Sequence, residues 1–181
     1  MNTQRKFSGF ARRVADPNVP SRATAPLGEE SQVLVNNKAI VRRLYEEVWN
    51  KRRLEVVDEL ISPSHALNDP LASDSQVGPK LYRQRVVEFA SSFPDLRFTI
   101  EDMIAEKGKV VASWTFSGTH KGEFRDIPAT GKKVSVEGIT IHHVTNGKIL
   151  DSYARWDVLG LMRQLGDGSP LRQSFVAGRF A

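Results

Sequence analysis

From Asn36 the chain becomes periodic. Ile40, Val41, Leu44, Tyr45, Val48 and Trp49 fall at helical spacing, with Arg42, Arg43, Glu46 and Glu47 on the opposite side. Asn36 and Asn37 stand where a cap belongs, so the spacing predicts an amphipathic helix starting there. Leu54, Val57, Leu60 and Ile61 repeat the pattern in a shorter helix that Ser62-Pro63 should stop. Ser64 to Asp69 reads as a short strand before Pro70. After a polar loop, Gly78-Pro79 opens a third helix with Tyr82, Val86, Phe89 and Phe93 on one face and Pro94 at its end.

The period then changes to two. Leu96, Phe98 and Ile100 alternate with Arg97, Thr99 and Glu101 in a strand running toward Ala105. Lys107-Gly108 is a turn, and Val110, Ala112, Trp114 and Phe116 share one face of the next strand. A long loop with Gly122, Pro128 and Gly131 leads to a strand over Val134 to Val144. Asn146-Gly147, the sharpest hairpin signal in the chain, joins it to a strand over Ile149 to Trp156. Leu159 to Leu165 reads as a closing helical turn. Helices first and an antiparallel meander afterwards define an α+β domain, with helices packed on one face of a curved sheet.

Before Asn36 no such pattern exists. Residues Met1 to about Val35 hold five of the 26 basic residues, three of the 21 acids and three prolines, which predicts an irregular basic arm. The expected organisation is therefore arm 1–35, domain 36–166 and tail 167–181. The formal charge of +5 resides partly in that arm. No stacked-aromatic or recognition-helix signature accompanies it, so nucleic acid is not the expected partner. No run approaches the roughly 18 apolar residues of a membrane span, and no signal-peptide core follows the early basic residues; a soluble cytoplasmic protein is expected. The absence of cysteine excludes a thiolate nucleophile and Cys-ligated metals. There is also no phosphate loop, nucleophile elbow or dinucleotide fingerprint.

Several strings in this order resemble the SnoaL-like polyketide cyclase (ester cyclase) family of the nuclear transport factor 2-like cone fold. They are Tyr45-Glu46-Glu47-Val48-Trp49-Asn50, Phe93-Pro94-Asp95-Leu96-Arg97-Phe98, Gly118-Thr119-His120-Lys121-Gly122-Glu123-Phe124, Pro128-Ala129-Thr130-Gly131, Asn146-Gly147-Lys148-Ile149 and Trp156-Asp157-Val158-Leu159-Gly160. The resemblance implies a cone-shaped, mainly antiparallel sheet around an apolar cavity that takes a hydrophobic, carbonyl-bearing small molecule. It also implies a homodimer, and acid–base ring closure without metal or organic cofactor. In the family a single Asp on the last strand moves the proton; a carboxylate in an apolar pocket has the raised pKa which that task needs. Here the corresponding position is Ala154, so the alternative is a binding or interaction module that has lost the catalytic group.

The nearest carboxylate along that strand is Asp157, the candidate acid/base, although it enters the cavity only if the chain bends there and otherwise caps the following turn. His142 and His143 point to opposite faces. Aliphatic neighbours favour His143 inward and the resemblance favours His142, which is taken as the second catalytic candidate. Asn68, Asp69, His120, His143, Tyr45, Trp114, Tyr153 and Trp156 are the candidate substrate-binding residues. His65 and Asp69 lack a third ligand at recognisable spacing, so no metal is expected.

Overall fold

In the computed structural model, residues 28–71 and 78–166 are described. Most of the expected arm and the expected tail lie outside the described residues. The first helix, α1 (Glu29–Arg43), starts inside the stretch expected to be irregular, with Gly28 at its cap. Its first turn carries Glu29 and Glu30, charges that complement the helix dipole. Asn36 and Asn37 consequently sit within the helix. The first two turns leave Val33 and Val35 exposed, so they present no apolar stripe to read.

A π-helical segment, Leu44–Asn50, continues α1 without a break and buries Leu44, Tyr45, Val48 and Trp49. Its end is fastened to the sheet by Asn50, whose amide donates to Phe98 O and accepts from Phe98 N, both at 2.8 Å. A 3₁₀ turn at Leu54–Val56 leads into α2 (Val57–Leu60). Ile61, expected to end that helix, is already extended and opens β1 (Ile61–Asn68), where it pairs with Ile149. Next comes α3 (Gly78–Ser92), as the Gly78-Pro79 signal predicts.

Four strands follow: β2 (Arg97–Glu106), β3 (Lys109–Thr119), β4 (Lys133–Thr145) and β5 (Lys148–Trp156). They form the expected antiparallel meander. β1 joins its edge in parallel with β5, so the sheet is mixed and runs β1-β5-β4-β3-β2. The edge position accommodates Pro63, which cannot donate to a ladder, and the β1 register shifts between Ile61 and Ala66. Further bulges between Ile100 and Asp102 and between His143 and Val144 curl the sheet. α1 and the π-segment pack on β2 and β3, α3 packs on β1, and α4 (Val158–Leu165) packs on β4. The concave face and these helices enclose one aromatic core that includes Trp49, Phe89, Phe93, Phe98, Trp114 and Phe116.

Candidate active site

Between the π-segment, α3 and the concave sheet face lies a cavity that opens to solvent. Its wall is mostly aromatic: Trp49, Tyr82, Phe89, Phe98, Trp114 and Phe116. Such a surface favours an apolar ligand through area removed from water. Gly138 on β4 makes room for the wall, since a Cβ there would stand 2.5 Å from the Trp114 ring and 2.7 Å from Trp156 Cβ.

Two polar groups interrupt this wall. The first is held by β4 and β5. His142 Nδ1 lies 2.9 Å from Ser152 Oγ, and its Nε2 lies 3.3 Å from the Tyr45 hydroxyl. Ser152 Oγ is also 3.1 Å from Nε2 of His65, which comes up from β1. Burial pushes the His142 imidazole down to about 3, with the neighbouring His65 and His143 adding to the shift. Burial likewise pushes His65 down to about 4, against an opposing pull from Asp151. Both rings are therefore neutral near pH 7. Burial raises the Tyr45 hydroxyl far above the usual phenol range. Thr140 Oγ1 accepts from Trp114 Nε1 at 2.9 Å.

The second group is built on Asp69, just beyond β1. Oδ1 accepts from Leu71 N at 2.8 Å and lies 2.8 Å from Arg85 Nη2, while Oδ2 accepts from Trp156 Nε1 at 3.0 Å. A carboxylate has about four acceptor sites, so three donors fix its position and leave one site on Oδ2. Arg85 rises from α3 into the cavity wall, with its guanidinium 5.2 Å from the Phe89 ring centre. Its Nε and Nη1 have no hydrogen-bond acceptor or ion-pair partner among the described residues, which leaves N–H donors for a ligand oxygen.

Of the residues singled out from sequence, Tyr45, Asp69, Trp114, His142 and Trp156 line this cavity together. The others do not. His143 faces the opposite side of the sheet, where Nδ1 pairs with Asp151 at 2.8 Å, and Tyr153 is exposed beside it. Asn68 is exposed and accepts from Arg155 Nη1 at 2.8 Å. His120 is buried below the cavity against Phe93, tied to Thr130 Oγ1 at 3.0 Å. Asp157 is also corrected: it is exposed, stands at the N-cap of α4, and accepts from Gly160 N at 2.7 Å. The chain bends after Trp156, but it turns Asp157 toward the helix end and away from the cavity. Asp157→Ala is accordingly expected to cost about 1 kcal/mol through loss of the cap, a fall of roughly 2–4 °C in a thermal melt, with no specific effect on ligand binding.

Arg85, Ser152 and His65 were missed as site residues. Each had a faint signal. Arg85 is a charge three residues after Tyr82 and four before Phe89, inside the apolar face of α3; Ser152 and His65 share strand faces with Ala154 and Asp69.

Residues 39–165 match the family model described as SnoaL-like polyketide cyclase. Over 123 residues the chain is 31% identical to the nogalonic acid methyl ester cyclase of Streptomyces nogalater, covering 67% of this chain and 92% of that protein. The aklanonic acid methyl ester cyclase DnrD of Streptomyces peucetius is 30% identical over 133 residues, 72% of this chain and 91% of the relative. The chain belongs to the SnoaL-like polyketide cyclase family. Among solved structures, TsrD from Streptomyces laurentii is 29% identical, with a TM-score of 0.65 over 73% of this chain and 96% of its own.

Ala154 is buried and lines the cavity. In the parallel pairing of β1 with β5, Asn68 stands opposite Tyr153. Asp69 follows directly, just beyond the end of β1, and lines the same cavity as Ala154. The cavity wall thus carries a carboxylate, Asp69, from the segment that follows β1.

Proposed function

We propose that this chain closes a ring in an apolar, carbonyl-bearing small molecule by intramolecular aldol chemistry, with Asp69 as the acid/base. The observation that carries this reading is the juxtaposition of Asp69 and Ala154 in the cavity wall. The free acceptor site of Oδ2 takes the proton from the activated carbon. The resulting enolate attacks the acceptor carbonyl, one C–C bond forms, and the proton returns to the new alkoxide. Nothing is oxidised or reduced and no atom is lost, so the stoichiometry needs no organic cofactor. Tyr45 and the free N–H groups of Arg85 are placed to polarise carbonyl oxygens, which gains most where water is excluded. His142, neutral and bonded to Tyr45, orients that hydroxyl.

The outer face of the sheet supports a further part of the reading, that the chain works as a homodimer. Ile104, Val111, Ile141 and Tyr153 pair in register across four strands, and Ile104, Ile141 and Tyr153 are exposed. A second copy would cover that row.

The test is an assay of the purified full chain with nogalonic acid methyl ester and aklanonic acid methyl ester, the compounds named by the relatives, as probes. Formation of a product of unchanged mass with one ring more supports the reading. Saturable binding of either ester with no ring closure above the uncatalysed rate would support the alternative, a binding module that kept the cavity and lost the chemistry at Ala154.

A further inference from the structure

Ser152 Oγ lies between two imidazoles, with His142 Nδ1 at 2.9 Å and His65 Nε2 at 3.1 Å, and His142 Nε2 continues the row to Tyr45 at 3.3 Å. All four residues are buried. A serine hydroxyl has one hydrogen, and a neutral imidazole has one N–H and one lone pair. Ser152 Oγ has two lone pairs and could accept from both rings, but its own hydrogen would then have no acceptor among the described residues; with that hydrogen used in the row, the bonds all run the same way and two directions remain.

In the first direction Ser152 gives its hydrogen to His65. His65 then carries its own hydrogen on Nδ1, and His142 donates from Nδ1 to Ser152 while accepting the Tyr45 hydrogen at Nε2. His65 Nδ1, however, is buried and has no partner among the described residues. This direction strands an N–H donor in the core, one of the rarer defects in folded proteins. In the second direction Ser152 gives its hydrogen to His142 Nδ1, His65 donates to Ser152 from Nε2, and His65 Nδ1 is left as a bare lone pair. His142 then donates from Nε2 to the Tyr45 oxygen. With its oxygen accepting from His142, Tyr45 has its hydrogen free for the cavity.

We infer that His65 and Ser152 are positioning residues that hold His142 in the Nε2–H tautomer, so that the Tyr45 hydroxyl is presented as a donor to a substrate oxygen. The use of that donor rests on the cyclase reading above; the direction of the bonds does not. Without the row, the Tyr45 hydrogen would be drawn into the protein, onto His142, and the oxygen of a bound carbonyl would meet a lone pair.

Nitrogen-15 chemical shifts of the histidine rings, recorded on the full chain near pH 7, distinguish the two directions without any ligand. The expected spectrum shows both His142 and His65 protonated at Nε2. His142 protonated at Nδ1 would overturn the inference. Ser152→Ala should release His142 into a mixture of tautomers, and Ser152→Thr, which restores the hydroxyl, should return it to Nε2–H; an unchanged His142 tautomer in Ser152→Ala would remove the positioning role. With a turned-over methyl ester, Ser152→Ala should lower kcat by roughly tenfold or more with little change in KM, and Ser152→Thr should recover most of it. The expected tautomers in a chain that closes no ring would uphold the inference while the cyclase reading failed.

Discussion

Asp69→Asn is expected to reduce turnover by roughly 10²-fold or more, the usual scale for losing a positioned acid/base. The amide is nearly the same size as the carboxylate. Its oxygen can still accept from Leu71 N, but it cannot take a proton from carbon. Part of the effect is structural, since Arg85 and Trp156 Nε1 both approach the carboxylate and removing one partner of a largely buried pair leaves the other charge uncompensated. The two contributions separate experimentally. A structural loss appears in the melting temperature and is relieved by adding Arg85→Met, which removes the stranded charge. A chemical loss appears in kcat of Asp69→Asn itself, while its ester binding stays largely in place.

A second large effect is expected from acid. Folding holds His142 at about 3 and His65 at about 4 against an ordinary value of 6.5, both chiefly through burial. Below pH 6.5 the unfolded chain binds protons at these rings while the folded chain does not, so stability falls as pH falls, until the folded values are reached. Each tenfold loss of proton affinity on folding corresponds to about 1.4 kcal/mol, so the pair amounts to several kcal/mol, a large share of the roughly 5–15 kcal/mol that stabilises a domain. The two rings are coupled through Ser152, so the total belongs to the pair. The lowered carboxylates of Glu47 and Asp95 act in a lower window, because their unfolded values are 4.5 and 3.8. Melting temperature should therefore drop steeply between pH 6.5 and about 4.5, and a His142→Gln variant should show a shallower slope. A melting temperature that is flat down to pH 4.5 would mean that the buried rings accept protons in the folded state.

The same residues show how far the sequence could be read. The β2–β5 meander was legible because each strand buries one face, so alternation such as Val110, Ala112, Trp114 and Phe116 reports directly on geometry, and Asn146-Gly147 marks its hairpin by backbone chemistry. The beginning of α1 was not legible, because exposed turns held by charge at their ends have no apolar period. The π-segment was hidden for the opposite reason. Tyr45, Val48 and Trp49 keep helical spacing, and the widening of the turns shows only in the hydrogen bonds.

In the site, strand alternation gave two histidines on opposite faces but not which one was inside. His142 is set inward by pairing across β4 and β5 with Ser152. Asp157 caps α4, the alternative that its position before Val158 left open, because the chain turns into the helix there. Asp69 is 85 residues from Ala154 in sequence, and the parallel pairing of β1 with β5 is what brings their segments to one cavity wall. Long-range pairing of that kind leaves no local pattern.

That register gives the most direct measurement of the central claim. If Asp69 performs the family's proton transfer from the strand beside Ala154, moving the carboxylate back should restore what Asp69→Asn removes. The double variant Asp69→Asn with Ala154→Asp is expected to turn over a methyl ester probe at least roughly tenfold faster than Asp69→Asn alone, at equal binding of the probe. Turnover by Asp69→Asn equal to that of the unaltered chain, or no recovery in a double variant that folds and binds the ester, would contradict the account.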